Sequence, residues 1–499
     1  MRHDGPHADG HAALASGAVG NRGAGAAGGT VALARPSVLG GRVALPRARI
    51  ALGPLAGRLA LASLIVGALA VVVFATAGPS ILVPRSWLSF PAWEAGPLHG
   101  LFGRLPNDPT ALSIGFSGVV LAMLVAYGVL LASVRTISMR AIALTVLALH
   151  VILLLSPPLQ LTDLFNYMGY ARLGAVHHLN PYTHVIAHEM HDPVYRFTTW
   201  HHLRSPYGPL FTAASYPLAL LPMPITYWAL KVITVLLSLG FIALVWRCAR
   251  QLGKDPRFAV VFVAANPVYL MYGVAGFHND FLMLVASTGA IALLLAGRDR
   301  AAGAALMLAV AVKFTAVLLL PFLLVAARPG RRRRQVLIGA VLGAIPLTAL
   351  SIAVFGLSIP NLQDQSTLLT DLSIPNVVGW VIGAGGGAPA LLRVGNVMLV
   401  VAVVYLLFRR RDWLAEAGWS TVALIASLAW LVPWYVIWVL PLAALGSSIR
   451  LRRAAVALTA YLVLAFVPTT GMILTGRGIK PMGGPVGRAS EALQHKLSQ

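Results

Sequence analysis

The chain has 499 residues, of which 58% are hydrophobic and only 11% charged, with a formal net charge of +23. Soluble domains carry roughly 25% charged residues, so composition excludes an ordinary soluble protein. The positive charge does not indicate nucleic-acid binding either: the basic residues sit in short clusters between apolar runs, as the positive-inside rule requires of a polytopic membrane protein. Apolar stretches of about 18 or more residues recur along most of the chain, each long enough to span a bilayer as a helix. An all-α polytopic membrane protein with about 11–13 membrane-inserted helices is the expected fold class, because helices satisfy their own backbone hydrogen bonds in lipid. The one cysteine, Cys248, leaves no intramolecular disulfide.

Residues 1–55 are rich in Gly and Ala and lack hydrophobic periodicity, so they read as a disordered cytoplasmic tail rather than a cleaved signal peptide. A first span is expected near 57–77, with an exterior loop to about 110, and a second near 111–133. Arg135 and Arg140 mark a cytoplasmic turn. The third span, near 141–158, leads into an exterior loop, 159–208, that opens on Leu161-Thr162-Asp163-Leu164-Phe165-Asn166-Tyr167. Residues 209–221 are too short to cross and read as a re-entrant or interfacial helix, followed by a span at 225–246. The cluster Arg247, Arg250, Lys254 and Arg257 returns the chain to the cytoplasm. Spans near 258–274 and 281–296 then place Phe277-His278-Asn279-Asp280 on the side of Asp163.

Two segments bounded by Arg at both ends, 302–327 with Lys313 near its centre and 418–447 with Pro433-Trp434-Tyr435 at its turn, read as half-depth hairpins. Such hairpins persist only inside protein or along a cavity. A second exterior loop near 357–376 carries Gln363, Asp364, Gln365, Asp371 and Asn376. A last span near 454–474 leaves the tail, 476–499, outside by parity. No internal repeat is evident.

An acidic residue at a membrane rim is a functional-site hypothesis by default. For Asp163 position alone leaves two readings, a catalytic carboxylate or an N-cap of a helix starting at Leu164. Asp280 has the same ambiguity. Lys313, inside an apolar hairpin, needs an anionic partner or snorkels to the surface. Seven of the 14 histidines fall between His177 and His202, but His188-Glu189-Met190-His191 lacks the two-residue spacing of a zinc protease motif, so no metal site is expected.

Taken in order, Asp163, Tyr167, Arg172, Asn180-Pro181-Tyr182, Ser205-Pro206-Tyr207-Gly208-Pro209-Leu210, Asn266-Pro267, His278-Asn279-Asp280, Lys313, Pro321, Pro433-Trp434-Tyr435, Trp438 and Pro441 form a pattern over residues 57–470. This pattern resembles the polyprenol-phosphate-mannose-dependent α-1,6-mannosyltransferases of mycobacteria and related actinobacteria, in the GT-C superfamily. The resemblance implies one transmembrane glycosyltransferase domain, 56–475, in the plasma membrane with an exterior-facing site. It implies a polyprenyl-phosphate-mannose donor, a mannolipid or mannan acceptor on the way to lipomannan and lipoarabinomannan, inversion at the anomeric carbon, and no cofactor. Asp163 falls at the position of the family's catalytic acid and would be the general base. Lys313, His278, Arg204 and Arg172 would hold the donor phosphate. Tyr167, Asn180, Tyr182, Tyr207, Asn279, Asp280, Trp434 and Tyr435 would line the sugar site, with Trp200 another aromatic that could stack on sugar. Another GT-C transferase, such as an α-1,2-mannosyltransferase or one for a different sugar, stays open. So does a lipid-linked-sugar transporter, although the polar groups gather at one face rather than at the midplane of paired broken helices.

Overall fold

The computed structural model describes residues 53–77, 82–83, 91–98, 108–362, 367–409 and 411–498. Of the tail expected at 1–55, residues 1–52 lie outside them and Pro54 and Leu55 already belong to the first helix; the loop residues Gln363, Asp364 and Gln365 also lie outside. Among the described residues every regular element is a helix. Those that carry the argument are α1 (Pro54–Ala75), α2 (Ala92–Ala95), α3 (Pro109–Ser133), α4 (Met139–Leu154), α5 (Leu164–Ala175), α6 (Pro209–Ala219), α7 (Met223–Gln251), α8 (Pro256–Ala264), α9 (Asp280–Leu295) and α10 (Asp299–Val312). There follow α11 (Leu320–Ala326), α12 (Gly330–Phe355), α13 (Ile374–Val381), α14 (Pro389–Arg409), α15 (Trp413–Ser427), α16 (Leu440–Leu445), α17 (Ile449–Phe466), α18 (Pro468–Gly476) and α19 (Pro485–Ser498).

Five of these, α1, α3, α7, α12 and α14, are long and apolar enough to cross a membrane, and the pair α17–α18, bent by 60°, would make a sixth. The chain is therefore a multi-pass membrane protein. The expected 11–13 inserted helices are not uninterrupted spans, because the remaining apolar helices are short. Their breaks fall at polar residues. The run expected near 258–274 stops at Asn266-Pro267, then continues as a π-helix, Tyr269–Val274. The Asn266 side chain accepts from Val268 N–H at 3.0 Å and donates to Thr459 at 2.9 Å, which satisfies the groups the break exposes.

Arg135, Lys254, Arg257 and Arg332, from the clusters between apolar runs, share one face. Arg257 donates to the Arg135 carbonyl, Lys254 to Ser447 and the Leu445 carbonyl, and Arg332 to both Asp299 and the Leu294 carbonyl. Helices that start on this face are fixed by side-chain caps: Ser138, Asp255, Asp412 and Ser448 each accept from a first-turn N–H.

Both half-depth hairpins are present. Asp299 at the start of the first meets Arg332 just past its end at 2.7 Å, so 299–327 leaves and returns to the basic face. Asp412 and Ser447, at the ends of the second, are hydrogen-bonded. The turn of the second is Leu428–Val432, with Pro433 opening its returning limb as a 3-10 helix, Pro433–Trp438. The C-terminal helix α19 lies on the face of the long loop after α4: Leu497 packs with Leu203 and Leu368, and its carbonyl accepts from His202 N–H at 2.9 Å. The chain end thus shares that face, as parity indicated, but as an ordered helix.

Small residues let α10 and α12 pack backbone to backbone. A Cβ on Gly339 would lie 1.9 Å from the Arg300 carbonyl oxygen, and one on Gly303 2.0 Å from the Val336 oxygen. Gly118 on α3 has nothing within 4 Å of a Cβ. Overpacking costs about 1–3 kcal/mol, so Gly339→Leu should lower the thermal unfolding midpoint in detergent clearly while Gly118→Ala leaves it unchanged or higher. Equal midpoints for the two variants would contradict this helix packing.

Candidate active site

The site is built where four interrupted elements meet: the start of α5, the turn before α9, the break after α10 and the returning limb of the second hairpin. Asp163 occupies the N-cap position of α5, yet its side chain makes no capping hydrogen bond. Thr162 does that work instead, accepting from Leu164 N–H at 3.2 Å while donating to the Gly276 carbonyl at 2.6 Å. The Asp163 carboxylate is left free to face the site. It lies 3.4 Å from His278 Nδ1, with Asp163 22% and His278 1% exposed at the side chain. The Tyr207 hydroxyl is also within its reach. Burial first, and then the Asp163 charge, hold that phenol well above its ordinary range, so Tyr207 stays a protonated donor.

Asp280 is not the cap of α9 either. Asn279 holds that position and Asp280 is the first helical residue. Asp280 is 1% exposed and receives Lys313 Nζ at 2.8 Å and Trp438 Nε1–H at 2.6 Å on the same oxygen. Lys313 ends α10 in an extended conformation, and its ammonium also lies 5.2 Å and 5.0 Å from the ring centres of Tyr435 and Trp438. A charge pair, an indole donor and two aromatic faces thus satisfy a lysine that snorkelling alone does not explain. Trp434 stacks on His278 at 3.7 Å, and Tyr435 on Trp438 at 4.3 Å.

His278-Asn279-Asp280 therefore connects the two carboxylates. Phe277, with φ of 54°, turns the chain into it, and the Tyr167 hydroxyl accepts from Asn279 N–H at 3.0 Å. Both His278 ring nitrogens and both Asn279 amide atoms are buried without a hydrogen-bond partner. Native interiors rarely leave such groups unmet. An apolar pocket of about 40 Å³ lies along α9, bordered by Leu284, Thr315, Leu319, Leu424 and Trp438, the last of which it shares with this cluster.

The other residues singled out in the sequence scaffold the loop. Arg172 donates to Asp192 at 2.9 Å and to the Ala219 carbonyl, so its guanidinium is spent on the loop and not on the Asp163–Asp280 cluster. Arg204 is exposed, with no ion pair to the cluster. Asn180 donates to the Phe355 carbonyl at the end of α12, and the Tyr182 hydroxyl donates to the Tyr207 carbonyl at 2.9 Å. Gly208 closes the loop on the break before Lys313: its N–H donates to the Val312 carbonyl, and a Cβ there would sit 2.3 Å from the Ala311 oxygen. Among the described residues no group of three or more His, Cys, Asp or Glu side chains converges as metal ligands would. His177, for one, sits between Asp192 at 2.7 Å and Glu189 at 3.3 Å.

One cluster was not anticipated. Lys231 in α7 and Glu94 in α2 are both fully buried. Lys231 Nζ donates to the Ser156 carbonyl at 2.5 Å and lies over the rings of Trp228, Tyr227 and Phe277. Burial pushes the Glu94 carboxyl up to about 9, against the pull of Lys231, so it is protonated at neutral pH. A lysine alone in an otherwise apolar span was the available signal, the same one that marked Lys313.

Comparison with known proteins follows this geometry. Residues 55–329 match the model of the alpha-(1->6)-mannopyranosyltransferase N-terminal domain, and residues 370–482 match the MptB C-terminal domain. The chain belongs to the alpha-(1->6)-mannopyranosyltransferase family. It is accordingly a hexosyltransferase, and the sequence resemblance holds. It is 28% identical over 354 residues to alpha-(1->6)-mannopyranosyltransferase A of Mycobacterium tuberculosis, covering 63% of this chain and 67% of the relative. A probable alpha-(1->6)-mannopyranosyltransferase of Mycolicibacterium smegmatis is 26% identical over 394 residues, 67% of this chain and 70% of its own. The Corynebacterium glutamicum alpha-(1->6)-mannopyranosyltransferase A matches over 36% of this chain and 37% of its own, at 28% identity. No solved structure matches the chain.

Two outcomes follow from the scaffold. Asp192 is buried, which alone would raise its pKa, but hydrogen bonds from His177, Val194 N–H and Arg172 overcome this and hold it below the usual carboxylate range. A depressed folded-state pKa gives stability that is present above the unfolded value, about 4, and is lost as pH falls through the folded one. Amide exchange in the 177–194 segment should therefore accelerate with acidification below about pH 4, after correction for intrinsic rates, and Asp192→Asn should already show the faster exchange at pH 7. Exchange that is the same in both proteins would contradict this. Lys231→Met removes the donor to a buried carbonyl, a loss of about 1–3 kcal/mol. An unfolding midpoint equal to wild type would show that the Ser156 hydrogen bond contributes nothing.

Proposed function

We propose that the protein transfers mannose from polyprenyl-phosphate-mannose to a hydroxyl of a mannolipid or mannan acceptor, with inversion, forming the α-1,6 linkages of lipomannan and lipoarabinomannan. The observation that carries this reading is the juxtaposition of two carboxylate sites with different surroundings on either side of one tripeptide. Asp163 is partly exposed and uncommitted as a cap, whereas Asp280 is buried and holds both Lys313 and Trp438, whose ring borders an apolar pocket.

Each half suits one substrate. The apolar pocket beside Trp438 is where the first carbons of a prenyl chain would enter, the rest of the chain lying along α9. Lys313, with the Trp438 N–H, would meet the phosphate. His278, stacked on Trp434 with Nδ1 facing Asp163 and Nε2 without a hydrogen-bond partner, is the second candidate for a phosphate oxygen or for orienting Asp163. The sugar would then lie between Lys313 and Asp163, against Tyr207, Trp434 and Tyr435. The acceptor hydroxyl approaches from the Asp163 side. Its oxygen forms the new bond to the anomeric carbon, its proton passes to Asp163, and the bond to the phosphate oxygen breaks, leaving polyprenyl phosphate. An opposite-face base is the arrangement that inversion requires. The donor brings its own monophosphate leaving group, so this reading contains no metal and no cofactor.

The basic face belongs on the cytoplasmic side by the positive-inside rule. On this reading the site opens to the exterior of the plasma membrane, where a lipid carrier is the available activated donor. The residues that determine donor class are thus Lys313 and the lining of the apolar pocket, and those that set the acceptor lie around Asp163 and the loop pinned by Asn166 to Thr199 and Trp200.

General-base assistance contributes about 10²–10⁴-fold. Membranes carrying wild type should transfer mannose from polyprenyl-phosphate-mannose to a short α-1,6-mannoside, and Asp163→Asn at equal abundance should be slower by at least about 10². Equal rates would remove Asp163 as base. Absence of product from the wild type with this donor and acceptor would overturn the mannosyl-transfer reading.

A further inference from the structure

We propose that the Asn279 side-chain amide recognises the transferred sugar, by hydrogen bonds to two hydroxyls on adjacent ring carbons. The proposal rests on the mannosyl-transfer reading above and names the residue that reads the sugar within it.

Three other asparagines in the core have a partner on both amide atoms. Asn166 donates to Thr199 Oγ1 and accepts from the Thr199 and Trp200 N–H groups. Asn266 donates to Thr459 and accepts from Val268 and Tyr269 N–H. Asn376 donates to the Asp371 carbonyl and accepts from Gly387 N–H. Asn279 is equally deep, at 5% exposed, but neither its Oδ1 nor its Nδ2 has a partner. Its backbone is nevertheless fixed, since its N–H is held by the Tyr167 hydroxyl. The protein thus positions this residue carefully and leaves its amide unused. An unmet buried polar group costs folding stability, and a residue kept at that cost is explained by a ligand that fills the gap.

The chemistry of the amide selects its partner, because it offers an acceptor and a donor side by side. Its Oδ1 needs a hydrogen, which an ionised phosphate does not supply, so the phosphate is excluded as the sole partner. A carboxylate is excluded for the same reason. Adjacent hydroxyls on a sugar ring supply a donor and an acceptor at matching separation. Asn279 also has the correct neighbours. The residue before it lies 3.4 Å from Asp163, and the residue after it holds Lys313 at 2.8 Å. A group between the base and the phosphate site faces the moiety that travels from one to the other. Sites built to hydrogen-bond a hydroxyl reject analogues lacking it by about 10⁴–10⁵, so this is where sugar identity would be enforced.

The test is a double-mutant cycle on the purified full-length protein in detergent. Short-chain polyprenyl-phosphate-mannose and its 2-, 3- and 4-deoxy analogues are offered to wild type and to Asn279→Leu. Donor Kd is read alongside kcat/KM, so an inactive variant still reports. Asn279→Leu should melt at the wild-type temperature or above, because it removes no hydrogen bond within the protein and relieves an unmet buried amide. In wild type, deletion of either of two adjacent hydroxyls should weaken binding or turnover by at least 100-fold. In the variant the same deletions should change it less than threefold. A variant that keeps the wild-type penalty for every deoxy donor overturns the assignment alone. So does one that melts well below wild type, since the amide would then be structural. A wild type inactive with all mannosyl donors overturns the underlying reading and this assignment with it.

Discussion

The ion pair between Asp280 and Lys313 is the interaction around which the rest is organised. Two charges on different helices can meet at this depth only if each helix stops there, since a charge inside an apolar span is costly without a partner. The chain stops both. α10 ends at Lys313 in an extended residue, and α9 begins at Asp280 after a turn with a positive φ at Phe277. Those interruptions expose backbone groups and polar side chains, several of which are taken up by Thr162, Tyr167, Gly208 and Trp438, while the Asn279 amide is left for a ligand. Irregular backbone persists inside a membrane domain only where protein or a cavity covers it, so the same constraint that makes the breaks possible also makes the pocket.

The long loop after α4 is then a rigid part of the site rather than a surface excursion. It is pinned at its start by Thr162, in its middle by Asn166 and the Arg172–Asp192–His177 cluster, and at its end by Gly208 on the broken helix. α19 packs on its outer side through Leu497. Below it, Lys231 ties the end of α4 through Ser156 and lies under Phe277, beside the turn that aims His278 at Asp163. Distances of a few tenths of an ångström at the reacting centre thus depend on contacts well away from it.

Much of this was legible in the sequence because polar groups in an apolar chain are conspicuous. Asp163, His278, Asp280, Lys313 and Trp434 are charges or rings at the ends of hydrophobic runs, and the structure brings them together. The two hairpins were legible from Arg at both ends of segments too short for two crossings. Whether Asp163 and Asp280 merely cap helices was not legible, since capping depends on a side-chain rotamer and on a competing neighbour, here Thr162. Nor was the engagement of Arg172 with Asp192, a contact across twenty residues of irregular loop. The breaks near Asn266 and Val467 were read as continuous spans, because hydropathy averages over a bend. Lys231 and Glu94 went unread for a different reason. One lysine does not interrupt the hydrophobicity of a 29-residue helix, and Glu94 lies 137 residues away in a short loop helix.

On the proposed reading, lipid phosphate and attacking hydroxyl lie on opposite sides of the 278–280 turn. A single-particle structure of the protein with polyprenyl-phosphate-mannose bound tests this most directly. The expected result is a prenyl chain leaving along α9 beside Trp438 and Thr315, a phosphate oxygen on Lys313, and the anomeric carbon turned toward Asp163. A donor bound with its phosphate at Asp163, or with its chain away from α9, would contradict it.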